Sequence, residues 1–324
     1  MTAWLLRRLT AALAIVFAVV TLTFVAIHLA PGTPFLSPDR PMDPAAVSRL
    51  RAHFGLDQPL PVQYVRYLGA LARGDLGESF SQRRPVAAAL TDAIPNTILL
   101  TGTALAIDFL LGLAIGVFQA ARARHRSDYA LTSITLFFYS LPTFWLGLVL
   151  LLVFGQWLGW FPVGGVVDPV LYDSLGVAGR LLDRLRHLAL PALTLGLVGA
   201  AGTARFQRAA MLEALGQDFV RAARAKGLAE RRVLSRHALP NALLPYITLL
   251  GLALPFLLTG AVLVETVFAW PGMGKLAADA IASRDYPVVT ATTLFASMLV
   301  VAGSLLADVL YAAADPRVRA EHAG

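Results

Sequence analysis

From Glu213 to Pro245 the chain reads EALGQDFVRAARAKGLAERRVLSRHALPNALLP. Phe219, Ala222 and Ala223 stand at i, i+3 and i+4 and form one apolar face of a short helix. Arg221 and Arg224 lie on the opposite side, and Gly227 ends the helix, as a glycine just past a C-terminus does. A second helix is predicted from Glu230 to Leu239, with Pro240 and Pro245 marking the turn beyond it. The product is a basic helix–Gly–helix knob. Its contact face is small, because Ala222, Ala223 and Ala225 let another backbone approach. Such a knob suits a groove on a partner protein. An ordinary basic loop resting on anionic headgroups is the competing reading.

On either side of the knob the chain turns apolar. His187–Ala204 precedes it without a charge, and Ala242–Val264 follows it. Further out lie Leu9–Ala30, Pro95–Phe118 (apolar apart from Asp108), the uncharged Tyr129–Val167, and Tyr286–Ala307. Crossing about 30 Å of hydrocarbon takes about 20 apolar residues in a helix. Six membrane spans are therefore expected. In the third block the helix should end near Gln156, with Trp157, Trp160 and Phe161 as an aromatic belt. Pro142, Pro191 and Pro255 are candidate kinks. The whole chain of 324 residues is 57% hydrophobic and 15% charged. Soluble domains carry about 25% charge, so the composition argues against an ordinary soluble enzyme. The first block outlasts the roughly 7–15 residues of a signal-peptide core and no A-x-A site follows, so it reads as an uncleaved span.

Charge sets the expected orientation. With the N-terminus inside, the inner segments hold 15 basic and 6 acidic residues, and the outer ones 12 and 11. That favours N-in/C-in, with Arg83 and Arg84 in mild dissent. The expected division is residues 1–30 for the N-terminus and first span, and 31–94 for a small ordered extracytoplasmic subdomain. Residues 95–311 form the core with five spans and the cytoplasmic loop 205–241, and residues 312–324 a tail. The net charge of +7 is an orientation signal, not a nucleic-acid footprint.

Catalytic patterns are missing. There is no cysteine, no phosphate loop, no H-E-x-x-H, no G-x-S-x-G, and the six histidines share no ligand spacing. No metal or cofactor is expected on this chain. Asp108 is the one acid near mid-span. It is either a pathway or proton-relay carboxylate or a buried acid bonded to a neighbouring helix. Glu265 and Asp308 fall near span ends. Trp270, Pro271 and Gly272, continuing to Met273 and Gly274, make a turn outside the fifth span. They shape an outer gate or a docking contact, or simply turn the chain into a short helix over Lys275–Ser283.

The knob resembles the EAA loop of ATP-binding-cassette importer permeases, E-A-A-x3-G-x9-I-x-L-P. Ala222, Ala223, Gly227, Leu239 and Pro240 fall on that pattern, while Arg221 replaces its Glu and His237 its Ile. Both departures are similar to the dipeptide/oligopeptide/nickel branch, where R-T-A-R-A-K-G-L is usual and only Ala222 differs here. The same branch resembles FGLDQPLPVQYVRYLGALARGDLGESF (Phe54–Phe80), LPTFWLGLVLLLVF and LGWFPVGG (within Leu141–Gly165), ETVFAWPGMGKLAADAIASRDYPVV (Glu265–Val289) and ADPRVR (Ala314–Arg319). The resemblance implies an all-α type I importer permease in a bacterial inner membrane. It implies a second homologous permease, two cytoplasmic ATPases that carry ATP and Mg, and an extracytoplasmic solute-binding protein. Arg221, Ala222, Ala223, Arg224, Lys226, Gly227, Leu228 and Arg231 would form the ATPase-coupling contact. Peptides lead as cargo; nickel chelates, glutathione and sugars stay open. The alternative is a stand-alone ion-coupled transporter or channel using Asp108.

Overall fold

The computed structural model describes residues 2–30, 43–253 and 261–314. Among them the chain is helical, with only an isolated bridge between Glu78 and Pro85. Helix α1 spans Thr2–Leu29, and two short helices follow, α2 (Pro44–His53) and α3 (Leu60–Ala72). Next come α4 (Val86–Ala121), α5 (Arg126–Ser140) and α6 (Thr143–Leu150), the last extended by a π turn over Leu151–Trp157. Helix α7 runs over Val177–Leu215, α8 over Asp218–Ala225 and α9 over Glu230–Val233. A π segment, Leu234–Ala238, leads into α10 (Leu239–Ala253). The described chain resumes with α11 (Val262–Val267), α12 (Met273–Ala282) and α13 (Tyr286–Ala314).

Among the described residues four helices are long and apolar enough to cross a membrane: Thr10–Leu29, Val86–Ala121, Val177–Leu215 and Tyr286–Ser304. The α5–α6 pair makes a fifth if it counts as one span, and it is bent by 100°. The bend falls where Pro142 forces Leu141 into an extended conformation, ψ 136°. The third apolar block is thus no straight rod, though it ends at Trp157, next to the expected Gln156. The expected fifth span, Ala242–Val264, includes residues 254–260, and the Pro255 kink with them; both lie outside the described residues.

Two helices outrun their apolar blocks. Helix α4 begins at Val86, so its first turns lie in the stretch assigned to the outer subdomain, and Pro95 sits inside the helix. Helix α7 passes through Pro191 and continues to Leu215, so the first third of the expected loop is helix. These two form the most extensive helix pair. A Cβ on Gly112 would lie 2.8 Å from the Thr203 side chain, and one on Gly116 would lie 2.6 Å from the Ala204 carbonyl oxygen. Glycine spaced G-x-x-x-G is what lets two backbones come this close.

Beyond the pair, the ends differ. At one end α8 packs on α7 and α4 through Val220, Ala223, Met211, Ala214 and Ala120. At the other, Val86, Leu90 and Ala93 of α4 pack on Met273, Ala280, Val288 and Ala291. There Asp285, fully buried, accepts bonds from Ser79 Oγ (2.5 Å), Ser81 N (2.9 Å) and Ser81 Oγ (2.7 Å). That carboxylate ties the turn before α4 to the turn before α13.

Candidate functional site

The knob stands where the sequence puts it, but its faces are redistributed. Helix α8 ends at Ala225, and Gly227 follows in the left-handed region at φ 76°. Its amide donates to the Arg224 carbonyl at 2.9 Å, closing the helix end. Val220 and Ala223 are the buried face, set on Met211, Ala214, Val233, Ala238 and Ala242, with Leu228 packed beside them. The expected face of Phe219, Ala222 and Ala223 is therefore split: Ala223 turns into the chain, while Phe219 (41% exposed) and Ala222 turn out. The reason is the spacing of what lies beneath. The short α8 must fill the gap between α7 and the α9–α10 run, and only Val220 and Ala223 reach it.

Charged residues brace and border this outward surface. Arg224 forks onto Glu230 across the Gly227 bend, Nε to Oε2 at 3.1 Å and Nη2 to Oε1 at 2.7 Å. The guanidinium holds the Glu230 carboxyl below its ordinary value, and the carboxylate raises Arg224. Arg221 pairs with Asp218 at 2.9 Å and stays exposed, as do Lys226 and Arg231. So Ala223 and Leu228 are foundation, Arg224 is a brace, and Arg221, Ala222, Lys226 and Arg231 face outward with Phe219. The second helix does not stop at Pro240. The run from Glu230 to Ala253 is unbroken, because the π segment widens the turn just before the proline, which has no amide to give.

A second anchor at this end has no local signature in the sequence. Asp128, 1% exposed at the start of α5, accepts Arg208 Nε at 2.9 Å and Nη2 at 2.8 Å. It also accepts the Arg124 amide at 3.0 Å, where Arg124 itself has φ 66°. The fork ties the α4–α5 turn to α7 two turns from its end. Arg208 lies just past the apolar run of α7, among other basic residues, so nothing local singles it out.

At the opposite end Glu265, fully buried, organises the turn of Trp270, Pro271 and Gly272. Its Oε1 accepts Thr97 Oγ1 at 3.0 Å and its Oε2 accepts the Lys275 amide at 2.8 Å. Thr97 Oγ1 in turn accepts the Met273 amide at 2.7 Å. A carboxylate on the first amides of α12 is the favourable place for an anion. A Cβ on Gly272 would meet Glu265 Oε1 and Thr97 Oγ1 at 2.5 Å, so this position has no room for a side chain. Trp270, also fully buried, donates Nε1–H to the Asn96 carbonyl at 2.9 Å. Asn96 Nδ2 donates to the Pro271 carbonyl at 3.0 Å. Turn, α11, α12 and α4 are one packed unit.

Asp108 stands apart from both ends, 11 residues or about 16 Å along α4 from Thr97. Thr203 Oγ1 donates to its Oδ1 at 2.6 Å, and Gly199 of α7 packs on the carboxylate. No cation pairs with it among the described residues. The neighbouring Phe109 carbonyl accepts the Tyr246 hydroxyl from α10.

Comparison with known proteins bears on the whole chain. Residues 112–320 match the family model of the binding-protein-dependent transport system inner membrane component, and residues 1–101 match that of its N-terminal part. The oligopeptide transport system permease protein AppB of Bacillus subtilis is 40% identical over 98% of this chain and 99% of its own. The di/tripeptide transport system permease protein DppB of Pseudomonas aeruginosa is 42% identical over 98% and 99%. Among solved structures, the inward-facing MetNI methionine ABC transporter matches with a TM-score of 0.54 at 18% identity. The match covers 71% of this chain and 97% of that one, a likeness of fold.

Proposed function

Since the chain belongs to the binding-protein-dependent transport system inner membrane components, we propose that it is one permease subunit of an ATP-driven importer for di- or oligopeptides. In this reading it sits in a bacterial inner membrane with six spans, N-in and C-in. It pairs with a second homologous permease and receives cargo from an extracytoplasmic solute-binding protein. ATP and Mg are handled by two cytoplasmic ATPases, and this chain does no chemistry of its own. The cargo class comes from the relatives' names, oligopeptide for one and di/tripeptide for the other.

The observation that carries the reading is the knob. Phe219, Ala222, Arg221 and Lys226 form an outward surface on a base that is buried and braced. A partner gripping that surface moves α8, and α8 is packed on α7, α4 and the α9–α10 run. Nucleotide binding to the partner then shifts the balance of inward- and outward-open states, provided the partner binds the two differently. Asp108 supports this reading better than ion coupling: its carboxylate serves as a helix-to-helix bond with Thr203.

The test is purification of the chain from membranes followed by reconstitution with ATP enclosed. Two ATPases and a second permease should co-purify, and labelled di- and tripeptides should accumulate only with ATP and binding protein present. A chain that purifies alone and transports without ATP overturns the proposal.

A further inference from the structure

An aromatic-lined hollow of about 280 Å³ lies away from the knob and the Glu265 turn. Its walls are Phe24 and His28 of α1, the turn Phe54–Leu56 after α2, helix α3, the chain from Asp75 to Phe80, and the first two turns of α13. The rings form a set shape: Phe24 stacks on Tyr67 at 5.6 Å, Phe54 meets Phe80 at 4.5 Å, and Phe80 meets Tyr286 at 6.1 Å. The hollow is just below the roughly 300–1,000 Å³ of small-molecule pockets. It admits one chain or side chain, not a folded partner.

Two polar groups mark its wall. The Tyr67 hydroxyl is sealed from the hollow, with Thr290 as its side-chain hydrogen-bond neighbour. Burial pushes its pKa up to about 12, so it stays protonated and is a donor. Thr290, also on the wall, already gives its hydroxyl proton to the Tyr286 carbonyl. Arg66 lies beside Gly55 and makes no ion pair or hydrogen bond among the described residues. His28 and Gln63, by contrast, are bonded to each other at 3.2 Å.

Position says what the occupant is. The hollow sits where α1 leaves its uncharged run and α13 begins its own, which is headgroup depth. Helix α3 above it turns Leu60 (50%), Val62 (39%) and Val65 (68%) outward, and the last turns of α1 expose Val25 and Leu29. A short helix with an unpartnered apolar edge beside membrane spans lies in the interface plane. The geometry points to a bound phospholipid of that leaflet, the outer one in the proposed orientation. One acyl chain enters among Phe24, Phe54, Phe80 and Tyr286, and the phosphodiester pairs with Arg66. Guanidinium is the side chain best matched to phosphate oxygens.

The experiment uses the full-length chain, in the complex purified from membranes, placed in phosphatidylcholine nanodiscs. A minor fraction of phosphatidylglycerol carries a diazirine at the acyl terminus, and crosslinked peptides are mapped after illumination. Crosslinks are expected on Phe54, Phe80 or Tyr286. Ala70→Trp, which fills the hollow, should remove them while crosslinks on the exposed Leu22 and Val25 of α1 persist as a folding control. Arg66→Ala, on the surface, should lower them about tenfold, the factor one lost charge-assisted hydrogen bond supplies. Wall crosslinks unchanged in both variants would overturn the proposal. So would protection by soluble glycerol phosphate, or wall residues that stay dark to lipid and are covered only by the binding protein.

Discussion

Gly227 is fixed by backbone shape and not by crowding, since a Cβ there meets nothing within 4 Å. A branched residue in the left-handed region costs about 1–2 kcal/mol, whereas asparagine visits it readily. Gly227→Val should therefore cut ATP-dependent uptake severely with normal membrane insertion, and Gly227→Asn should keep most of it; equal uptake by both would remove the geometric role. Asp128→Ala should cost about 2 kcal/mol, toward the low side for a charged hydrogen bond because Arg208 reaches water. Thermal unfolding of the purified complex measures it, and Asp128→Glu should recover less than half if the fork geometry matters. Asp108→Asn keeps an oxygen for the Thr203 hydroxyl and should leave uptake near normal. Complete loss of uptake in an intact complex would favour the ion-coupled alternative. Of these positions, Gly227 was legible because a glycine past a helix end is a local pattern. The inward turn of Ala223 was not, since α7 and the α9–α10 run choose the buried face of α8. Nor was the Asp128–Arg208 fork, whose members are 80 residues apart.

Helices were legible as apolar blocks, yet their ends were not. Hydropathy marks where a helix is wet or greasy, and α4 and α7 both continue through charged residues into water. The π segment before Pro240 escaped for a related reason: proline reads as a stop, but a widened turn absorbs it. The α4–α7 crossing rests on Gly112 and Gly116, four apart, a spacing that a reading by apolar blocks passes over. Gly116→Leu should force the helices apart and sharply lower the yield of folded complex in detergent, judged by size-exclusion profile. Gly102→Leu, where a Cβ meets nothing within 4 Å, should be tolerated. Helix α8 carries a weak pH dependence. Glu230 is depressed below its ordinary 4.5 by Arg224, so its contribution is present above pH 4.5 and disappears as pH falls through the lower folded value. Both side chains are about half exposed, which limits the effect to about 0.2–1 kcal/mol. Hydrogen exchange of the α8 amides, corrected for intrinsic rate, should show the loss in acid, and Glu230→Gln should flatten it.

At the scale of the molecule, the knob and the Glu265 turn sit at opposite ends of the α4–α7 pair, and α7 touches both regions through Ala214 and Leu188. The membrane character was readable from hydropathy, and the basic knob from its helix–Gly–helix pattern. The 100° fold of α5 on α6 was not, because a proline announces a break but not its angle. Helix α7 has 39 residues, unbroken through Pro191. At 1.5 Å per residue that is about 58 Å of rod, about twice the hydrocarbon thickness. In the proposed importer such a rod would act as a lever arm with its fulcrum in the bilayer. A tilt of about 5° about its middle displaces each end by about 2.5 Å in opposite senses, with no bond along its length broken. Gearing of this kind would make a small angular adjustment at the knob legible on the far side of the membrane.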